Sequence, residues 1–195
     1  MSLKHLKQKW EWFAERAHGA HARAWLSILS FTESSVFVIP PDPLLIAILL
    51  AGSSRWLYYA TITTIASVIG AVFGYLIGIF FFDILGEPLI ALYGWQSNFL
   101  LVQGLFERDA AGIMLLAAFT PIPYKVFVLA AGFLSVNPFV FIVTAIIGRG
   151  ARYFLIAYAT HRFGTYAVDL VRRYSAVATI AAIVIIGVYL ARLIW

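Results

Sequence analysis

Apolar residues fill this chain in long blocks, and the blocks are of two kinds, unbroken and broken. Residues 56–82 run for 27 positions without a charged side chain, 126–148 for 23 and 174–191 for 18. About 20 apolar residues cross a bilayer as a helix. Spans are therefore expected at 56–82, about 138–160 and about 174–194. Two other apolar regions are interrupted. Residues 24–52 contain Glu33 and the run "PPDP" at 40–43, and residues 110–134 contain "PIP" at 121–123. Proline removes a backbone donor and clashes with the preceding turn, and it pushes the residue before it out of the α region. Each interrupted region thus reads as two half-helices, with Pro40, Pro41 and Pro43 at one tip and Pro121 and Pro123 at the other. Non-helical backbone at membrane depth survives only when covered by protein or facing a wet cavity. Two re-entrant hairpins, 24–52 and 110–134, are the expected result.

The remaining pattern is weaker. In residues 1–23, Leu3, Leu6, Trp10, Phe13 and Ala17 recur at helical spacing among lysines and glutamates, which suits an amphipathic helix on the membrane surface. Residues 83–109 are polar, with 88–106 apolar enough for a short interfacial helix. Gly70, Gly74 and Gly78 share one face of the first span, where small residues let another helix approach closely.

The two interrupted regions match each other. Pro41, Pro43, Ala51, Gly52 and Gly70 recur as Pro121, Pro123, Ala131, Gly132 and Gly150, each 80 residues later. A hairpin returns to its own side and the span at 56–82 crosses once, so the second hairpin should enter from the opposite face. The charges agree: residues 1–23 carry five Lys/Arg, 161–173 carry three and 83–109 carry one. By the positive-inside rule the N-terminus and the 161–173 loop are cytoplasmic. The expected fold is an all-α polytopic membrane protein. It combines an N-terminal amphipathic helix (1–23), a core of two inverted hairpin repeats (24–165) and a C-terminal transmembrane helix (166–195). Broken helices in inverted repeats, with a site near the midplane, are a transporter design.

Composition narrows the classes further. The chain is 63% hydrophobic and 12% charged, against about a quarter charged in an ordinary soluble domain. A net charge of +5 fits cytoplasmic loops and anionic lipid better than nucleic acid. There is no cysteine, which excludes disulfides and thiolate sites, and His161 has no ligand at metal spacing. No metal or cofactor is expected. The charged first 23 residues lack an early apolar core, so no cleavable signal peptide is expected.

Glu33, Asp42, Lys125, Arg149 and Arg152 lie in or beside the apolar segments. Each costs about 3 kcal/mol at the centre of a membrane helix if unrelieved. They must pair, protonate or line a wet cavity. The expectation is that the two acids of the first hairpin meet Lys125 of the second, with either a functional or a purely structural role. Arg149 and Arg152, three residues apart, share a helix face. Together with Lys125 they offer a set of cations suited to phosphate oxygens. Arg55, Arg108 and Arg192 sit near span ends, where snorkelling accounts for them. Ser34 and Ser35 lie beside Glu33, but the sequence holds no GxSxG elbow, no HExxH helix and no histidine in that hairpin to serve as a base. An enzyme is not expected.

The stretches "FTESSVFVIPPDPLLIAILLAG" (31–52), "GAVFGYLIG" (70–78), "FTPIPYKVFVLAAGFL" (119–134) and "GRGARYFLIAYATHRFG" (148–164) resemble the DedA family of bacterial membrane proteins, which carry the VTT or SNARE-associated domain. The likeness covers roughly residues 24–165 and is greatest to the YqaA-like branch. The resemblance implies two opposed re-entrant hairpins in the bacterial inner membrane. It also implies movement of phospholipids or polyprenyl-phosphate carriers, often dependent on the proton-motive force. Glu33 and Asp42 then take the places of the family's functional acids. Two arginines around the second proline motif are replaced by Ala118 and Tyr124, with Lys125 one residue later. The leading expectation is a lipid or lipid-phosphate translocase with protons as a coupling partner. The alternatives are a transporter of ions or small cationic solutes, and a non-transporting membrane partner that supports the envelope. Oligomer formation is left open.

Overall fold

The structure, a computed structural model, describes residues 20–35, 40–51, 54–94, 96–119 and 124–164, with 166, 184, 187 and 188 beyond them. The described residues are helical throughout: α1 (Ala20–Ser35), α2 (Asp42–Leu50), α3 (Trp56–Phe81), a π-helical turn (Phe82–Gly86), α4 (Glu87–Tyr93), α5 (Gln96–Phe119), α6 (Tyr124–Phe133) and α7 (Pro138–Phe163). The expected amphipathic helix at 1–23 and the C-terminal span lie largely outside the described residues, as do Pro121 and Pro123.

Two helices, α3 and α7, are long and apolar enough to cross a membrane, at 26 residues each. Their outward faces are apolar: Ile65, Ile69, Phe73, Leu76 and Phe80 on α3, and Ile146, Ile147 and Leu155 on α7, are all exposed. Water would not tolerate such stripes, whereas lipid would. The start of α7 is readable. Asn137 caps α7 by accepting from the backbone N–H of Phe139 and Val140, and Pro138 follows at the first helical position, where its missing donor costs nothing.

The short helices begin and end where the local chemistry dictates. Pro41 sits at the N-cap of α2 and Pro43 in its first turn, so these prolines open the second half-helix. Helix α5 contains a break at Asp109 (φ −153°, ψ 69°), whose Oδ1 accepts from the Gly112 N–H at 2.7 Å. That is an N-cap inside the element, and it starts the second interrupted region at the expected residue, 110. Residues 88–106 are not one short helix: α4 ends at Gly94 with φ 66°, a left-handed conformation open to glycine. Helix α6 ends in a Schellman-type turn, with Val136 N–H donating to Ala131 O and Ser135 N–H to Gly132 O. Tyr75 Oη then donates to Val136 O at 2.5 Å and pins this turn to α3.

Helix α3 is the hub, packed by α1, α6 and α7. It runs antiparallel to α7: Trp56 stacks on His161 near one end and Tyr75 on Phe141 near the other. It runs parallel to α1, from the Arg23–Tyr58 hydrogen bond to the Gly74–Ser35 contact. Helix α2 turns back, since Leu44, Leu45, Ile48 and Leu49 share a cluster with Ala22, Leu26, Tyr59 and Ala60, near the starts of α1 and α3. Helix α6 also runs along α3, with Val128 on Gly74 and Gly132 on Gly78. Ala118 meets Gly148 and Phe119 O lies near Arg152, so α5 follows α7. At 1.5 Å per residue, the 9 residues of α2 and the 10 of α6 reach only about 15 Å, half of a hydrocarbon core of about 30 Å.

The 80-residue offset of the proline motifs needs correction at the level of the helices. Asp42 and Tyr124 open the short helices, and Trp56 and Pro138 open the long ones, an offset of 82 in both cases. Burial follows the same register. Phe141, Ala145, Arg149, Tyr153, Ala157 and Thr160 are buried on α7, and 82 positions earlier Tyr59, Thr63, Ser67, Ala71, Tyr75 and Gly78 are buried on α3. At an offset of 80, only Thr144 finds a buried counterpart, Thr64.

The glycine face of α3 meets two helices. A Cβ at Gly70 would enter the Phe31 backbone of α1. One at Gly78 would stand 2.7 Å from Leu129 O and 2.9 Å from Gly132 Cα of α6. Backbone cannot give way as a side chain can. Gly132→Val should therefore cost at least about 2–3 kcal/mol through overpacking. Gly104→Ala, where nothing lies within 4 Å of the added methyl, should gain about 0.5–1 kcal/mol from helix propensity. Thermal unfolding of both variants in detergent checks the contrast.

Candidate functional site

Four of the five intramembrane charges form two ion pairs between the first hairpin and the second span. Arg149 pairs with Glu33, and Arg152 Nη2 meets Asp42 Oδ2 at 2.5 Å. The acids thus take their partners from α7 and not, as expected, from the second hairpin. Helix rotation explains it: α7 packs against both α2 and α3, which turns the shared face of Arg149 and Arg152 toward the break between α1 and α2. Lys125 is half-buried in the first turn of α6.

Arg149 is the centre of the site. Only 3% of it is exposed. Its Nε donates to Ser67 Oγ at 2.7 Å, and its Nη2 donates to Glu33 Oε2 and to Tyr153 Oη, with Ser34 Oγ at 3.4 Å. Ser34 and Ser67 share a hydrogen bond of 2.7 Å, and Ser34 also lies 3.2 Å from Glu33 Oε2. The Tyr124 and Tyr153 rings flank the guanidinium, with Cζ 5.2 Å and 4.8 Å from their centroids, within cation–π range. Ser67 and Arg149 are each the twelfth residue of a 26-residue helix, so the network sits close to mid-span. Two apolar clusters lie on either side, one around Leu26, Leu45 and Ala60, the other around Met114, Val128 and Phe141.

The remaining sequence-derived positions frame this network. Pro41 is buried beneath the start of α2, and Pro40 and Pro43 are exposed. Gly70 and Gly74 bring the end of α1 against α3, so that Ser34 reaches Ser67. Sequence reasoning missed Ser67 and Tyr153, and it met Tyr124 only as the residue at one of the family's usual arginine positions. A signal existed for the two it missed: Tyr153 lies four residues after Arg149, on the same helix face, and Ser67 is a polar residue in the middle of an uncharged span. Ser34 was noticed only as an unlikely nucleophile, and its hydroxyl is engaged by Ser67 and Glu33.

Breaking a buried ion pair by removing one member costs about 3–5 kcal/mol, because the other charge stays behind. Arg149→Met should lose that much stability, and the double variant Glu33→Leu/Arg149→Met should recover most of it. Ser67→Ala should cost only about 1–2 kcal/mol. Unfolding free energies in detergent, arranged as a double-mutant cycle, read all three.

Comparison with known proteins supplies the family. A Haemophilus influenzae protein, uncharacterized, is 38% identical over 133 residues, covering 68% of this chain and 69% of its own. A second uncharacterized protein, from Histophilus somni, is 31% identical over 142 residues, 73% of this chain and 74% of that one. No solved structure matches. The family model of the VTT domain matches residues 39–162, from the proline break at the start of α2 almost to the end of α7. The chain is a membrane protein of the VTT-domain, or DedA, family.

Proposed function

We propose that this protein is a translocase for phosphate-bearing lipids, phospholipid or polyprenyl phosphate, across the bacterial inner membrane. The observation that carries the reading is the pairing of Glu33 with Arg149 and Asp42 with Arg152 near mid-span, at a depth where ionisable groups mark substrate and proton pathways. On this reading α1/α2 and α5/α6 are re-entrant hairpins that enter from opposite faces, and the 82-residue register of burial is the trace of an inverted repeat. The helix directions support it: α1 and α6 follow α3, while α5 follows the antiparallel α7. On this reading the N-terminus is cytoplasmic.

The cations have different tasks. Arg152 keeps 21% of its side chain exposed and Lys125 is half-buried, so these two are the accessible phosphate ligands. Arg149 is closed off by Glu33. A proton on Glu33 removes the charge that holds Arg149 and frees the guanidinium fork, whose geometry matches phosphate oxygens. That exchange is how a proton gradient would drive the cycle. A cationic solute is a poorer substrate for this site, because it would have to displace an arginine from each acid.

Reconstituted protein should accelerate flipping of a fluorescent anionic phospholipid in proteoliposomes, and Glu33→Gln and Lys125→Ala should each slow it at least about tenfold, the effect expected when a charged hydrogen-bond partner is lost. Flipping by the wild type at the rate of both variants would sink the proposal.

A further inference from the structure

Tyr124 carries a hydroxyl that no described residue engages. The residue opens α6 and is 1% exposed. Its ring lies against the Arg149 guanidinium, yet among the described residues its Oη has no hydrogen-bond partner. The neighbouring buried tyrosines behave differently: Tyr75 donates to Val136 O, and Tyr153 accepts from Arg149. A buried hydroxyl without a partner is destabilising. Phenylalanine would supply the same ring to Arg149 without that penalty, so packing alone does not account for the oxygen.

Its position narrows what the partner is. Tyr124 opens the second short helix as Asp42 opens the first. Asp42 there holds an arginine, and Tyr124 offers a neutral donor beside one. A group that accepts from a phenol next to a guanidinium is an anionic oxygen. Glu33 already supplies one oxygen to Arg149 through Oε2, and that carboxylate does not reach Tyr124. A phosphate group has more oxygens, spread tetrahedrally, and can take the carboxylate's place on Arg149 while reaching the phenol.

We infer that Tyr124 is a specificity-determining ligand for a phosphate group on Arg149, and that Glu33 is the internal anion that occupies this place when the substrate is absent. The inference rests on the translocase reading for its lipid source but concerns binding alone. The phosphate belongs to a lipid headgroup or to a free phosphate ion, which present the same oxygens.

The test is binding to the full-length protein in detergent, followed by ligand-induced thermal shift. The probes are dioctanoyl phosphatidic acid, dioctanoyl phosphatidylcholine and inorganic phosphate. Tyr124→Phe is isosteric and keeps the ring on Arg149, so it should fold as the wild type does and bind phosphatidic acid roughly tenfold more weakly, the effect of one charge-assisted hydrogen bond. Glu33→Gln should bind it at least as much more tightly, and adding Tyr124→Phe should take the gain back. If Glu33→Gln proves too unstable to purify, the wild type and Tyr124→Phe decide the matter by themselves. Equal affinity of those two proteins for both phosphatidic acid and inorganic phosphate would overturn the inference. A Tyr124-dependent response to phosphatidic acid but not to inorganic phosphate assigns the site to a lipid headgroup, and a response to both assigns it to the phosphate ion itself. Tyr124-dependent binding without lipid flipping would leave this site standing and remove the translocase; flipping with no Tyr124-dependent binding would do the reverse.

Discussion

A guanidinium held near the middle of an apolar helix bundle is the constraint around which this molecule is built. Arginine does not deprotonate in proteins, so Arg149 cannot escape burial by losing its charge. It has to be met by an anion and by enough acceptors and π faces to replace water. Glu33 supplies the anion, Ser67 and Tyr153 the acceptors, and Tyr124 and Tyr153 the faces. These residues come from α1, α3, α6 and α7. One cation therefore ties together the short helices α1 and α6 and both long helices.

The small residues make that convergence achievable. Ser34 can share a hydrogen bond with Ser67 only if α1 and α3 approach to backbone contact, which Gly70 and Gly74 permit. On the next turn, Gly78 and Gly132 do the same for α3 and α6. Without these contacts the hydroxyls would stand too far apart for hydrogen bonds, and the space would fill with lipid tail or water. The polar centre and the glycine face are thus parts of one arrangement: close packing excludes competitors, and exclusion strengthens each hydrogen bond in the low dielectric.

Much of the architecture was legible because it is written locally. The proline run at 40–43, the uncharged run from Trp56 and the start of the second interrupted region at 110 each act on their own few residues. The pairing was not legible. Glu33 and Asp42 stood out as charges needing partners, but whether Lys125 or the arginines of α7 would meet them depends on helix rotation, which apolar patterning fixes poorly when helices face lipid on one side and protein on the other. The sequence match stands at 80 residues through its prolines, whereas the helix starts are offset by 82. Prolines mark the break, and the helices after it start where the first turn can be satisfied. Tyr153 and Ser67 were passed over because a lone hydroxyl in a span has too many innocent explanations in sequence.

The two pairs of short helices are attached to the long helices by different contacts. The first is held to α7 by two ion pairs, Glu33–Arg149 and Asp42–Arg152. The second is held to α3 by the Gly78–Gly132 backbone contact and by the Tyr75–Val136 hydrogen bond. Ion pairs respond to a proton or to a competing anion, while backbone packing responds to neither. Helix α1 has both kinds of attachment, since Gly70 and Gly74 also bring it to backbone contact with α3, so a proton or a competing anion acts on its ion pairs and leaves that packing in place. The two segments of short helices thus differ in how they are attached, and the difference follows from where the acids and arginines fall along the chain.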